Sequence, residues 1–234
     1  MSKTFKFKRK YYGDRQIYKK ASATIEAGVT VLVGCNGAGK STLQSIMQKQ
    51  LREDNHPFVS YNNEYDGGYF SRQNKMDFGD PLDSIAMCFS SEGENIAINL
   101  GDQVNAIREY INTGKSSKGI SVFDAIFTES VSDSNKTSQE PISNERWIFF
   151  DAVDSGFSID NIVEFKSLVD AIVNSCIHLE LDPYIIISAN SYELCSTYPC
   201  YDVMSCKYVE FENYEDYKKF VLKSRVLKDK SIKL

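Results

Sequence analysis

Residues 34–42 read Gly-Cys-Asn-Gly-Ala-Gly-Lys-Ser-Thr and match the spacing G-x-x-x-x-G-K-[ST] from Gly34 to Ser41. Each residue type at that spacing has a task in holding a nucleotide phosphate. Gly34, Gly37 and Gly39 let the backbone turn tightly and aim N–H groups at phosphate oxygens. Lys40 brings a compact positive charge to the β- and γ-phosphates, and the Ser41 hydroxyl is a ligand for Mg²⁺. A second chemically pointed residue is Asp151. It ends the apolar run Arg146-Trp-Ile-Phe-Phe, which is where phosphate-loop enzymes keep the aspartate that holds Mg²⁺.

These residues need elements to position them. Val29-Thr-Val-Leu-Val33 is a β-branched apolar run of the kind found in buried parallel strands. Thr42 to Gln50 reads as a helix with Leu43, Ile46 and Met47 on one face, so the glycine loop lies between a strand and a helix, its expected context. Further strands are expected at Pro57–Tyr61, Arg146–Asp151 and Tyr184–Ser188, the last running on to Asn190. Cys200–Met204 and Lys207–Phe211 read as closing strands. Upstream, Phe5–Lys8 and Ala21–Gly28 alternate like antiparallel strands. Helical periodicity covers Asn95–Ile111 and Asp160–Leu181, the latter with Ile162, Phe165, Leu168, Val169, Ile172 and Val173 inward. It also covers Tyr214–Lys228, with Tyr217, Phe220, Val221 and Leu227 as buried positions. The alternation of strands and helices predicts an α/β fold: a mostly parallel core sheet flanked by helices, with an N-terminal antiparallel β subdomain. We expect one domain over residues 1–234, with surface loops inserted at 112–118 and 130–144, where Ser, Asn, Lys, Thr and Asp dominate.

Composition narrows the partners. The net charge of −5 argues against general affinity for nucleic acid. Basic segments at Thr4–Lys20 and Lys218–Lys233 read as solvated faces, with a basic lip for a phosphate backbone or an acidic partner as the alternative. No apolar run has the length of a membrane span, and the basic N-terminus lacks a following apolar stretch, so a cytoplasmic protein with no membrane partner is expected. The six cysteines form no C-x-x-C pair, which fits free thiols.

In their order along the chain these segments resemble those of ATP-binding-cassette (ABC) ATPases, specifically small stand-alone soluble members of bacterial and phage genomes. Gly34 to Leu43 looks like the family's G-x-N-G-A-G-K-S-T-L, so Asn36, Ala38 and Thr42 join Gly34, Gly37, Gly39, Lys40 and Ser41 as nucleotide contacts. Tyr11 stands where the family places its adenine-stacking aromatic, with Tyr12 as second choice. Ser90-Ser-Glu-Gly-Glu94 resembles the L-S-G-G-Q signature, with Ser91 and Gly93 as its serine and second glycine. Ile148–Asp151 resembles the Walker B strand, Asp154-Ser-Gly-Phe157 the D-loop, and Ile185–Asn190 the strand that normally ends in the switch histidine.

The resemblance implies ATP and Mg²⁺ as cofactors, with Ser41 and Asp151 as metal ligands. It also implies a head-to-tail homodimer that closes on ATP. The departures from the family pattern concern hydrolysis. Ala152 stands where the catalytic glutamate should follow Asp151, and Asn190 replaces the switch histidine. A positioned general base contributes about 10²–10⁴-fold in rate, so binding should survive better than turnover. Asp151, Asn190 and Asp154 remain as the catalytic set, Asp154 being the substitute base. For the loop that carries a metal-ligating glutamine, Asn62, Asn63 and Gln73 are all candidates. The expected function is an ATP-gated dimerising switch with slow or absent hydrolysis. The alternative is an active ATPase subunit of a DNA-repair or antiphage-defence complex, working with an effector protein. Nucleic acid is then a candidate partner that the overall charge does not indicate.

Overall fold

The computed structural model describes residues 1–7, 11–12, 15–62, 104–115, 143–153 and 158–231, with the strand backbone alone at 11, 12, 15 and 16. The elements are β1 (Ser2–Lys6), β2 (Tyr11–Tyr12), β3 (Arg15–Gln16), β4 (Ser22–Glu26), β5 (Gly28–Val33), α1 (Lys40–Glu53), β6 (Phe58–Asn62), α2 (104–113), β7 (Glu145–Asp151), α3 (Ile159–His178), β8 (Asp182–Ser188), α4 (Tyr192–Cys195), β9 (Cys200–Asp202), β10 (Lys207–Val209) and α5 (Tyr214–Ser231).

Six strands form one sheet in the order β10-β9-β5-β8-β7-β6. All neighbours are parallel except the edge pair β10 and β9. Both faces of the sheet are covered, which explains why its central strands carry near-continuous apolar runs rather than alternating ones. Val31, Ile148, Phe150, Ile185 and Ile187 face α2, α3 and α4, against Ile107, Tyr110, Phe165, Val169 and Leu194. Leu32, Trp147, Phe149, Tyr184 and Ile186 face the other way, against Leu43, Met47 and Leu51 of α1 and Phe5, Ala23 and Ile25 of the N-terminal strands. Those N-terminal strands form the expected antiparallel unit, with β1 paired to β4 and β2 to β3. The fold is therefore α/β, with a mostly parallel sheet between helices and antiparallel strands at the N-terminus.

The observed boundaries differ from expectation in places. The helix expected over Asp160–Leu181 ends at His178. Glu180 takes a left-handed backbone (φ 55°), while Leu181 N–H bonds Cys176 O and Glu180 N–H bonds Ile177 O. That pair of bonds closes a helix whatever its periodicity suggests. Residues 112 and 113 end α2 rather than opening a loop. The rest of the expected insertion at 112–118 lies outside the described residues from 116 on, as does 130–142 of the second insertion. On α5, Tyr217 is buried as expected. Phe220, Val221 and Leu227 are only half-buried, whereas Ser224 is fully packed.

The single tryptophan joins the six-stranded sheet to β1. Trp147 stacks on Tyr184 at 4.1 Å between ring centroids and meets Phe5 of β1 edge-on at 5.4 Å. Its indole N–H donates to Glu145 Oε2 (2.8 Å), and Lys3 of β1 donates to the same oxygen at 3.1 Å. The His56 ring lies 3.9 Å from it. Burial by itself would raise the Glu145 carboxyl, but the Trp147 and Lys3 hydrogen bonds and the nearby positive charge outweigh it and hold the group below its ordinary value. A lowered carboxyl stabilises the fold in full above the unfolded-state value, about 4.3. That contribution is lost as pH falls through the lower folded value. The urea midpoint of Glu145→Gln is therefore expected to lie below that of the parent at pH 7. The gap should close in acid; a gap that persisted there would mean that the carboxylate's charge is not what matters.

Candidate functional site

The parallel register collects the chemistry at one end of the sheet. Asn62 of β6 pairs with Asp151 of β7, Asp151 with Ser188 of β8, and Ser188 with Leu32 of β5. These four residues form a row across the carboxyl ends of the strands, the usual ligand edge of such sheets. Gly34 and Asn190 each follow that row by two residues, so the glycine loop and the end of β8 rise side by side.

The loop curls over the start of α1. Gly34 has φ 152° and Gly39 φ 102°. A Cβ on Gly34 would stand 2.9 Å from the Ala38 Cβ, and one on Gly39 would stand 2.6 Å from the Ile17 side chain. These glycines therefore serve both a backbone conformation that L side chains rarely adopt and a close approach. Tyr18 supports the loop from beneath by donating to Gly39 O (3.0 Å). Burial first, and then the nearby Cys206, pushes its phenol well above the ordinary range, so it stays a neutral donor.

Lys40 is nearly enclosed, at 9% exposure. Its ammonium donates to Gly34 O (2.9 Å), to Cys35 O (3.5 Å) and to Asn190 Oδ1 (2.8 Å). The Asn190 amide N–H in turn donates to Asn36 Oδ1 (2.9 Å). One asparagine thus bridges the lysine and the crest of the loop, acting as acceptor to one and donor to the other, which an uncharged amide can do and an imidazolium cannot. Beside it, Ser41 Oγ donates to Asp151 Oδ1 (3.0 Å) and Asn62 Nδ2 donates to Asp151 Oδ2 (3.2 Å). Ser41 and Asp151 thereby bring together hydroxyl and carboxylate oxygens, donors a hard divalent cation takes, while the Asn62 amide N–H holds the second carboxylate oxygen. Asn36, Gly37 and Thr42 are exposed around this cluster, and Ala38 is buried beneath it.

Of the three candidates for the amide beside Asp151, Asn62 lies within the described residues, where the register pairs it with Asp151. Asn63 and Gln73 lie outside the described residues, as do Ser91, Gly93 and Asp154. Of Tyr11, the strand backbone opposite Gln16 is described. Ala152 follows Asp151 directly and adopts φ 54°, so the chain turns away at once from the carboxylate. An alanine held there costs roughly 1–2 kcal/mol against an ordinary backbone.

Other site residues were not singled out by sequence. Gln44 of α1 is buried and donates to Phe150 O (2.9 Å) and Ile186 O (3.4 Å), tying the helix to the two strands that carry Asp151 and Asn190. Helix α5 also reaches the loop. Ser224 Oγ accepts from Cys35 N–H (3.1 Å), Lys228 donates to Asn36 O (3.0 Å), and Tyr217 donates to Asn190 O (2.5 Å). In sequence these were part of an amphipathic helix with an ordinary core face. Their spacing of seven and four residues, which puts all three on one stripe, was the available signal.

No protein-family model matches the chain. Among curated proteins, the petrobactin import ATP-binding protein YclP of Bacillus subtilis (strain 168) is 46% identical over 46 residues. The match spans 19% of this chain and 18% of that protein's length. Among solved structures, MJ1267, an ATP-binding cassette of an ABC transporter in its ADP conformation, aligns over 97% of this chain and 98% of its own. The identity is 13% and the TM-score 0.45. A nucleotide-free ATP-binding cassette from an ABC transporter aligns over 95% and 96% of the two chains, at 14% identity and a TM-score of 0.42. Among the described residues, no helix is long and apolar enough to cross a membrane.

Proposed function

We propose that this ATP-binding-cassette-like chain binds ATP·Mg and works as an ATP-gated dimerising switch that hydrolyses slowly or not at all. The observation that carries the reading is the hydrogen-bonded set formed by Lys40, Asn190 and Asn36 beside Ser41, Asp151 and Asn62. The set has a cation and a glycine cradle for phosphate and an oxygen cluster for a metal. Next to the carboxylate, however, it has alanine where a water-activating base would stand.

The residues divide the work by chemistry. Lys40 exchanges the Asn190 amide oxygen for a phosphate oxygen, replacing a charge–dipole bond by the stronger charge–charge one. The Asn190 amide, released from the lysine, still has an N–H to donate to the terminal phosphate. Ser41 and Asp151 would hold Mg²⁺, with Asn62 orienting the far carboxylate oxygen. Bound Mg²⁺ would neutralise charge shared by the β- and γ-phosphates. Asp154 is the remaining candidate for a base. The switch readout is closure of a second copy over the nucleotide, through the segment containing Ser91 and Gly93, with the adenine stacked on Tyr11.

Molar mass by light scattering, with and without ATP·Mg and with phosphate release followed in the same samples, tests this. We expect an ATP-dependent dimer that releases little phosphate. A monomer that turns ATP over would reject the switch and favour the alternative, an ATPase subunit acting with an effector protein.

A further inference from the structure

Helix α5 meets the phosphate loop along one stripe, Tyr217, Ser224 and Lys228. The first two contacts fix where the helix stands: Tyr217 bonds the carbonyl of Asn190, and Ser224 accepts the N–H of Cys35 inside the loop. The third reaches the crest. Lys228 Nζ donates to Asn36 O at 3.0 Å and lies 3.7 Å from where a Cβ on Gly37 would stand. The Asn36 carbonyl and the Gly37 N–H belong to the same peptide group. The described chain contains no cis peptide, so that N–H points away from the carbonyl, and hence away from Lys228. A cation on the carbonyl oxygen fixes the rotation of this peptide and polarises it, making the Gly37 N–H a stronger donor.

We propose that Lys228 is a positioning residue for nucleotide phosphate: it acts from the C-terminal helix, through the Asn36–Gly37 peptide, to orient and charge the crest of the loop. This rests on the reading of the loop as a nucleotide site and extends it to an element far from the motif in sequence. The loop then has two lysines with separate tasks. Lys40 meets the phosphates directly, and Lys228 holds the peptide that faces them.

Calorimetric titration with ATP·Mg over a salt series, on the parent, Lys40→Ala, Lys228→Met and Lys228→Arg, tests the proposal, with nucleotide-free melting measured alongside. Lys228→Met is expected to weaken ATP about 10-fold at low salt, since a charged hydrogen bond acts here through one intervening peptide. Its salt dependence should be shallower than the parent's, and its melting temperature without nucleotide close to the parent's. Lys228→Arg should recover affinity to within about 3-fold, because charge and donor remain although the fork differs from an ammonium. Parent-like ATP affinity in Lys228→Met, beside loss in Lys40→Ala, would overturn the role of Lys228 and leave the nucleotide site standing. A Lys228→Met loss matched by lower melting and unrelieved by arginine would overturn it in favour of simple packing. A parent that binds no ATP would overturn the site itself.

Discussion

Replacing Lys40 by alanine is expected to lower ATP affinity by at least about 100-fold, taking charge-assisted hydrogen bonds to phosphate at the upper end of their usual worth. Enclosure of the ammonium sets this magnitude. Lys40 is 9% exposed and its ammonium lies between Gly34 O and Asn190 Oδ1, so a phosphate arriving there meets a cation already stripped of most of its water. Alanine would leave those oxygens without their donor, and each orphaned acceptor costs about 1–3 kcal/mol if water does not reach it. The variant should therefore melt somewhat lower than the parent yet remain folded. Circular dichroism and nucleotide titration on the same sample separate the two effects. A folded Lys40→Ala protein that binds ATP as the parent does would remove the basis for a phosphate site at this loop.

Converting Ala152 to glutamate is expected to raise the rate of phosphate release about 10²-fold, at the lower end of what a positioned base contributes. The lower end is chosen because of the backbone. Ala152 sits at φ 54°, which is not the extended strand continuation that would carry a side chain forward from Asp151. The glutamate has to reach the water from a turned chain, and geometry comes before pKa for a base. The substitution adds no new backbone cost, since alanine already bears a Cβ at that φ. Ala152→Gly makes the control: relief of the left-handed strain should stabilise the fold by about 1 kcal/mol with no gain in turnover. Single-turnover phosphate release on the three proteins gives the answer. A glutamate variant no faster than the parent would mean that something other than the missing carboxylate limits hydrolysis.

Much of the fold was readable from local pattern. Val29–Val33, Ile148–Asp151 and Tyr184–Ser188 stand out as strands because both sheet faces are covered, so nearly every position of such a strand is apolar. The glycine loop was legible because its motif is one contiguous stretch of chain. Helix ends were less legible: the left-handed Glu180 that closes α3 carries no glycine to announce it. That Asn62 meets Asp151 depends on a strand register, and a slip of one residue would turn its side chain to the other face.

By itself, then, the amino-acid sequence determined what is local: a glycine loop of phosphate-binding pattern between a buried strand and a helix, and a carboxylate ending a second strand with alanine directly after it. Only the tertiary structure decided what meets what. It set Asn190 between Lys40 and Asn36, put Asn62 opposite Asp151, and brought Ser224 and Lys228 against the loop from 189 and 192 residues away. The physical reason is that these contacts arise from parallel register and from the docking of an amphipathic helix. Both are settled by summed burial across the whole core, and a polar residue on a helix stripe carries no local mark of the backbone it will touch.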